Sequence, residues 1–153
     1  MFIECTQANK NLYDTDYHLW LVKTVKRLEN KEFDALDLQN LVEEVSDLSQ
    51  REKRKLESLL TRLFEYLLKL KYWESERSLN QGYWEAEIIN FCKQISKELK
   101  ASPSLKPYLL EFFEECYQDG REIASKRSQM SLDIFPKLAI ANLDQVLDEN
   151  WLL

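Results

Sequence analysis

The sequence predicts an all-α protein, a single-domain bundle of about five main helices plus a short C-terminal helix. Two observations lead to this fold class. Between Leu56 and Leu70, leucines recur at steps of three and four residues, the spacing that places side chains on one face of an α-helix. The chain also has only two glycines and three prolines, too few for the turns of a many-stranded β-protein. The leucines of this central face are Leu56, Leu59, Leu60, Leu63, Leu67 and Leu70.

The first two helices are predicted from helix caps and apolar spacing. Asp14 or Thr15 can cap a first helix that runs to about Leu28, and Asp34 or Asp37 can cap a second. We expect the apolar stripes of both helices to lie in the core. These stripes are Tyr17, Trp20, Leu21, Thr24, Val25 and Leu28 in the first helix, and Leu38, Leu41, Val42, Val45 and Leu48 in the second, with Phe33 tucked in between them.

The junction between the second and third helices is open to two interpretations. Ser49 followed by Glu52 matches a capping box, which favours a new helix. Against this, no glycine or proline intervenes, and the apolar spacing continues to Leu56. One helix over residues 38–73 would be about 54 Å long, which is awkward for a compact domain of this size. We therefore expect a break or a sharp kink near Leu48–Gln50.

Beyond the third helix, a polar connection is predicted from Glu74 to Gly82, with Asn80-Gln81-Gly82 as its turn. A fourth helix then runs from about Tyr83 to Lys100. We expect its inner face to carry Trp84, Ile88, Phe91, Ile95 and Leu99.

A fifth helix follows Ser102-Pro103-Ser104 and has Gly120 on its inner face. A glycine inside a helix costs about 1 kcal/mol relative to alanine, so a close approach of another helix is the expected reason for it. An irregular segment, Asp133 to Ala141, precedes a short last helix that Asn142 or Asp144 can cap.

Composition limits the class of protein. The net charge of −6 argues against broad binding to nucleic acid or anionic membranes. No apolar run approaches the roughly 20 residues that span a bilayer, and no signal peptide opens the chain. The widely spaced Cys5, Cys92 and Cys116 are predicted to be reduced, the last two in the core. We therefore expect a cytoplasmic protein with one domain over residues 1–153, of which residues 1–12 are loose.

Catalytic and metal signatures are mostly absent. His18 is the single histidine, so the sequence has no histidine pair for a metal. A pair of His18 with Cys92 or Cys116 is conceivable, but their spacing does not support it. No Gly-rich phosphate loop, nucleophile elbow or Cys-x-x-Cys occurs. We expect no cofactor and no stoichiometric metal, which metal analysis of the purified protein would check.

Three groups of residues are candidate sites. Tyr72, Trp73, Tyr83 and Trp84 bracket the connection that contains Arg77, and aromatic residues beside arginine are typical of binding hot spots, although they also close helical hairpins. A basic strip along the third helix could contact phosphates, although a solvated helix face is the favoured explanation. The strip consists of Arg51, Lys55, Arg62 and Lys69.

The third candidate is Glu44, which borders the apolar stripe of the second helix. A half-buried carboxylate needs a donor such as Tyr66 or an arginine. The structural interpretation is a satisfied carboxylate, and the functional one is a ligand- or acid-binding site. A buried Glu44 with a raised pKa in a cleft would favour an enzyme.

Four groups of residues, in this order along the chain, match the pattern of one known family: residues 13–17 with 19–21, residues 33–38 with 40–45, residues 102–109, and Tyr117 with residues 121–124 and 135–136. Through them the chain resembles the bacterial "domain of unknown function 29" family over roughly residues 13–150. The resemblance implies a small all-helical bacterial domain and supplies no activity, cofactor or catalytic residue. A histidine often stands in that family before the Leu-Leu-Lys of the third helix; Tyr66 stands there in this chain, so no role of that histidine carries over.

The function is not encoded in any of these patterns. The sequence favours a non-catalytic interaction or regulatory protein that binds an unidentified protein partner, which includes the option of a second copy of itself. A nucleic-acid-associated regulator that uses the basic strip is the first alternative, and an enzyme with a carboxylate site near Glu44 is the second. No membrane partner is expected.

Overall fold

A computed structural model of the protein describes residues 12–151. Two predictions lie outside the described residues: the loose N-terminal segment, apart from Leu12, and the reduced state of Cys5. No strand occurs between residues 12 and 151, and the all-α prediction is confirmed. After a helical turn at residues 12–15, the α-helices are α1 (Tyr17–Glu29), α2 (Leu38–Tyr72), α3 (Glu74–Ala101), α4 (Leu105–Glu111), α5 (Phe113–Ser128) and α6 (Leu143–Val146), with short 3-10 helices at Phe33–Ala35 and Leu132–Ile134.

The chain divides into two compact units, an N-terminal unit of residues 1–51 and a C-terminal unit of residues 52–153. Helix α2 contributes residues to both. The expectation of one domain over residues 1–153 stays a prediction.

The N-terminal unit is a helical hairpin. Asp16, rather than Asp14 or Thr15, caps α1 by accepting a hydrogen bond from the Leu19 amide at 3.0 Å. The Trp20 indole donates to Asp37, just before α2, at 3.3 Å, whereas Tyr17, earlier in α1, donates to Glu44, later in α2. The contacts therefore run in opposite chain directions, as they do in an antiparallel pair of helices.

Most residues of the apolar stripes in this unit are exposed, contrary to the prediction that they lie in the core; Trp20 and Thr24 are buried as predicted. Within residues 12–51 the buried side chains are Trp20, Thr24 and Asp37. Phe33, predicted to tuck in, is 62% exposed. Periodicity identifies an apolar face but does not show that another element covers it. The exposed stripe residues are Tyr17, Leu21, Val25 and Leu28 on α1, and Leu38, Val42, Val45 and Leu48 on α2, the last four at 56–63%.

The predicted break near Leu48–Gln50 is wrong, because α2 is one continuous helix of 35 residues. Ser49 and Glu52 lie inside it. A Ser-x-x-Glu pair can cap a helix start, but it does not interrupt a helix whose backbone is free of proline and glycine.

The predicted connection from Glu74 to Gly82 is also wrong. Helix α3 begins at Glu74, and Trp73 alone separates it from α2. The polar side chains bond within the helix: Asn80 donates to the Glu76 carbonyl at 3.0 Å, and Gln81 donates to Glu85 at 3.0 Å. These bonds at a spacing of four residues support a helix, so the Asn-Gln-Gly turn signal is overridden.

The core of the C-terminal unit forms around the second half of α2. All six leucines of the predicted central face are buried. The predicted face of α3 is confirmed as well, with four of its five residues buried and Leu99 partly buried. The later chain contributes Leu109 from α4 and Cys116, Tyr117 and Ala124 from α5. Cys92 and Cys116 are free and buried, as predicted.

At Gly120, helix α5 packs closely against α2. A Cβ atom there would lie 2.7 Å from the Thr61 carbonyl oxygen and 2.9 Å from the Phe64 Cβ, so the predicted close approach is confirmed. The predicted fifth helix is divided, however, because α4 ends at Glu111 and α5 begins at Phe113.

Side chains of α5 hold the backbone of the segment that follows it. The Arg121 guanidinium donates to the carbonyls of Leu132, at 3.0 Å, and Phe135, at 3.2 Å. The Tyr117 hydroxyl donates to the Pro136 carbonyl. The segment is irregular after Ile134, and Asn142 caps α6 through a capping box, both as predicted.

Leu63→Ala is expected to lower the free energy of unfolding by about 2–5 kcal/mol, because it opens a cavity where packing is complete. Leu63 is fully buried in the middle of the central face. Chemical denaturation would measure the change. A loss below about 1 kcal/mol would mean that the site collapses freely, which a close-packed core does not allow.

Candidate functional site

Glu44 joins the two helices of the N-terminal unit. The Tyr13 hydroxyl donates to its Oε1 at 2.6 Å, and the Tyr17 hydroxyl donates to its Oε2. These bonds lower the pKa of Glu44 and raise the pKa of Tyr13 to about 12. The donors are therefore Tyr13 and Tyr17 rather than the predicted Tyr66. A lowered pKa is the opposite of the raised value that would favour an acid–base role.

Sequence reasoning missed both tyrosines as partners of Glu44. They are spaced four residues apart, which would place both hydroxyls on one side if the helix were continuous. In the structure Tyr13 packs edge-on against Trp20, with ring centroids 4.9 Å apart, and Tyr17 lies 6.0 Å from the same ring. The aromatic cluster and Glu44 together fix the hairpin.

An open apolar surface lies beside these contacts. On each helix, its residues follow inward-facing residues by one position: Leu21 follows Trp20, Val25 follows Thr24, and Leu38 follows Asp37. One position is a rotation of about 100° around the helix. We call this surface the apolar face; it consists of Leu21 and Val25 of α1 and Leu38, Val42 and Val45 of α2, all exposed.

Both halves of the apolar face lie on the same side of the hairpin. On each helix, one step along the chain from a residue that contacts the other helix rotates the side-chain direction around the axis in the same sense. The two helices run in opposite directions. Seen from one end, the rotations are therefore mirror images, and both point to one side of the plane that contains the helices. The α1 half borders a shallow depression that also includes His18, Lys26 and Glu29.

The aromatic residues predicted around Arg77 separate into three contacts. Tyr72 packs on Phe135, with centroids 5.6 Å apart. Tyr83, exposed, packs on the buried Tyr66 at 6.3 Å. Burial is the first cause of the raised pKa of Tyr66 and the hydrogen bond with Tyr83 the second.

Trp73 is partly exposed and stacks on the buried Trp84, with centroids 5.6 Å apart. Arg77 lies nearby and donates to the carbonyls of Leu70, at 2.7 Å, and Lys71. Its guanidinium therefore satisfies the C-terminal end of α2. A groove of about 380 Å³ runs beside it; Leu67, Leu70, Lys71, Glu74, Arg77, Gln81 and Glu85 line this groove.

The basic strip is not a continuous cationic surface. Lys55 pairs with Glu98 at 2.6 Å, and Arg62 lies over the Phe91 ring at 5.1 Å. Lys69 is buried and pairs with Glu65 at 2.6 Å. Arg51, exposed, belongs to the N-terminal unit.

Residues 12–151 carry neither a cluster of potential metal ligands nor a membrane-spanning helix. His18 is exposed on α1, and no group of three or more potential metal ligands is found in this range. No helix in the described part of the chain is both long and apolar enough to cross a membrane. The expected absence of metal and cofactor stays a prediction.

These features define an all-helical protein with an exposed apolar hairpin at its N-terminal end. The chain belongs to the family described as Domain of unknown function DUF29, whose model matches residues 12–152. The predicted resemblance is thereby confirmed. No curated protein and no solved structure matches the chain. The family description names no activity, so the function is not established by relationship.

Proposed function

We propose that the protein is a non-catalytic interaction protein and that the apolar face is its binding surface. The observation that carries this proposal is the exposure of five aliphatic side chains on one side of a hairpin that buries few residues of its own. Large exposed apolar patches on proteins in water mark interaction sites. Covering this face would remove apolar area from water, at roughly 25 cal/mol per Å².

The charges around the face support the same function. The helix positions that border the α2 half on its outer side are Gln39 and Ser46, which are uncharged. The acidic Glu43 and Asp47 lie on other sides of the helix. Depletion of charge at the centre of a surface is typical of protein–protein interfaces.

The other predicted functions receive less support. A nucleic-acid regulator would need a free basic strip, and Lys55 and Lys69 are already paired with carboxylates. An enzyme site at Glu44 would need a raised pKa, and the pKa of Glu44 is lowered. The surface around Trp73 and Arg77 remains a second candidate contact for a partner. The reduced Cys92 and Cys116 suit the bacterial cytoplasm, where we place this activity.

Val42→Glu is expected to abolish partner binding, because it places a charge in the centre of the apolar face. The measurement is recovery of bound proteins, including untagged copies of the same chain, by the tagged full-length protein from its native cell extract. Leu79→Glu is the matched control, since Leu79 is an exposed leucine on α3. Circular dichroism would check that both variants are folded.

The proposal requires a partner that the wild-type protein and the Leu79→Glu variant both recover and that the Val42→Glu variant loses. Equal recovery by all three proteins would show that binding does not use this face. Recovery of nothing by the wild-type protein would count against an interaction function altogether.

A further inference from the structure

We infer that helix α2 contains a joint, a stretch that opens locally while the helix on either side of it stays folded. The joint consists of residues 46–52. In its open form a new helix starts after Ser49, with Ser49 and Glu52 as the capping pair. The joint is independent of the proposed function, since its opening requires no partner and no binding surface.

Within the described part of the chain, no other element covers the joint on any side. Each residue from Ser46 to Glu52 is exposed, over about two turns of helix. Cover resumes on both flanks: Glu44 and Lys53 are half-buried, and Leu56 is fully buried. A helix that is solvated all round either bridges two folded parts, relies on many side-chain pairs at a spacing of four residues, or is not stable.

Side-chain pairs contribute little to holding the joint closed. Asp47 and Arg51 have the favourable spacing, with the acid four residues before the base. They do not form an ion pair, because the four ion pairs found in residues 12–151 lie elsewhere in the chain. One unformed pair is not the set of pairs that stabilises a solvated helix.

The backbone of the joint also has a weak intrinsic preference for the helix. Three of its seven residues, Ser46, Asp47 and Ser49, belong to the weaker helix formers, because their side chains can bond backbone groups in non-helical conformations. A short helix without tertiary contacts is marginal in water. The joint is therefore helical because it continues two packed parts of α2, and its free energy of opening is lower than that of the buried half.

The sequence of the joint supplies an end for its open form. Ser49 and Glu52 have the spacing of a capping box, which is not used in the closed state because both residues lie inside the continuous helix. When the helix opens before Ser49, the Ser49 hydroxyl can accept a hydrogen bond from the Glu52 amide, and the Glu52 carboxylate can accept one from the Ser49 amide. The same residues thus stabilise two states, as a conformational switch requires.

The division of the chain into compact units coincides with the joint. One unit ends at Arg51 and the other begins at Glu52, inside α2. Just after the joint, Lys55 pairs with Glu98 of α3 at 2.6 Å, which anchors that part of α2 in the C-terminal unit. Opening of the joint therefore interrupts α2 and leaves the internal contacts of each unit in place.

The test is amide hydrogen exchange of the purified full chain, followed by mass spectrometry and corrected for intrinsic rates. We expect residues 46–52 to exchange about 100-fold or more faster than residues 59–70. Ser49→Ala should slow exchange in the joint about tenfold, because it removes the cap of the open form and improves the closed helix. Ser46→Ala is the matched control; it improves the closed helix alone and should slow exchange about twofold.

Two results of this experiment would overturn the inference. Exchange of residues 46–52 as slow as that of residues 59–70 would mean that the stretch opens only when the core of the C-terminal unit does. Equal slowing by Ser46→Ala and Ser49→Ala would mean that the capping pair has no part in the open form. Residues 59–70 should exchange at the wild-type rate in both variants, as they do when the core is intact.

Limited digestion with trypsin gives a second measurement. Cleavage at the basic residues 51–55 should be faster than cleavage at Lys93 and Lys97, which are equally exposed but lie on α3, a helix with a buried face. A protease needs an opened backbone, so Ser49→Ala should slow the cleavage at residues 51–55 about tenfold as well. Faster cleavage at Lys93 or Lys97 would show that the joint does not open preferentially, and would overturn the inference.

Discussion

Trp84→Ala is expected to lower the free energy of unfolding by about 3–5 kcal/mol, the cost of removing a large aromatic side chain from a packed core. Trp84 is buried on the α3 face that also carries Ile88 and Phe91. Little of the lost volume can be refilled, because α3 packs in the core of the C-terminal unit. Urea denaturation monitored by far-ultraviolet circular dichroism would measure the change.

Trp73→Ala is the matched control. Trp73 stacks on Trp84 but is partly exposed between α2 and α3. We expect a much smaller loss of stability, together with weaker partner binding if this surface is the second contact. Equal losses in the two variants would show that Trp73 is a core residue. Full partner binding by the Trp73 variant would remove this surface from the candidate sites.

Lys69→Met is expected to lower the free energy of unfolding by about 3–5 kcal/mol, because it leaves the buried Glu65 carboxylate without its nearest cation. Glu65 Oε2 lies 2.6 Å from Lys69 Nζ and 3.1 Å from Arg127 Nη1, and neither contact has good hydrogen-bond geometry. Arg127 is more than half exposed on its side chain, so it compensates only in part.

The double variant Lys69→Met with Glu65→Leu should recover most of that loss. Replacing a buried ion pair by apolar residues is often neutral, whereas removing one partner is not. The remaining Arg127 can turn to solvent. Thermal or chemical unfolding of both single variants and the double variant gives the coupling energy. A double variant as unstable as the sum of the singles would show that the two charges do not interact.

The predictability of the fold differed between the two units for a physical reason. In the C-terminal unit, the spacing of the six central leucines and of the α3 face identified the core correctly, since covering elements exist there. In the N-terminal unit, the stripe through Val42 and Val45 has the same spacing and is exposed. The spacing of apolar residues shows which face of a helix is apolar. Only the contacts in the structure show whether another element buries that face.

The helix boundaries show a second limit. The sequence predicts helix interruptions at two pairs, Ser49 with Glu52 and Asn80 with Gly82. Both pairs lie inside helices. Cap and turn signals are weak preferences that packing and continuous backbone bonding override. Of the two predicted caps of the last helix, Asn142 and Asp144, the structure has Asn142, whose partner Gln145 completes the capping box.

The candidate site was predicted only in part. Glu44 was singled out because it borders an apolar stripe, but its donors, Tyr13 and Tyr17, precede it by about 30 residues and were not recognised. Nothing in one sequence specifies which distant hydroxyl meets a carboxylate. For the same reason the sequence predicts Leu21, Val25, Leu38, Val42 and Val45 as core residues, and only the structure shows that the face they form is open.

The hydrogen bonds from α5 to the backbone of the segment after it have a consequence for sequence variation. Arg121 binds the carbonyls of Leu132 and Phe135, and these atoms are identical in every amino acid. Most side chains of the segment are exposed and can vary without moving its backbone; the exceptions include the buried Phe135 and Met130, Ala139 and Ala141, which pack against the core. Side chains of α5 thus fix the backbone path of the segment. A substitution of Arg121 would therefore alter the backbone more than ten residues further along the chain.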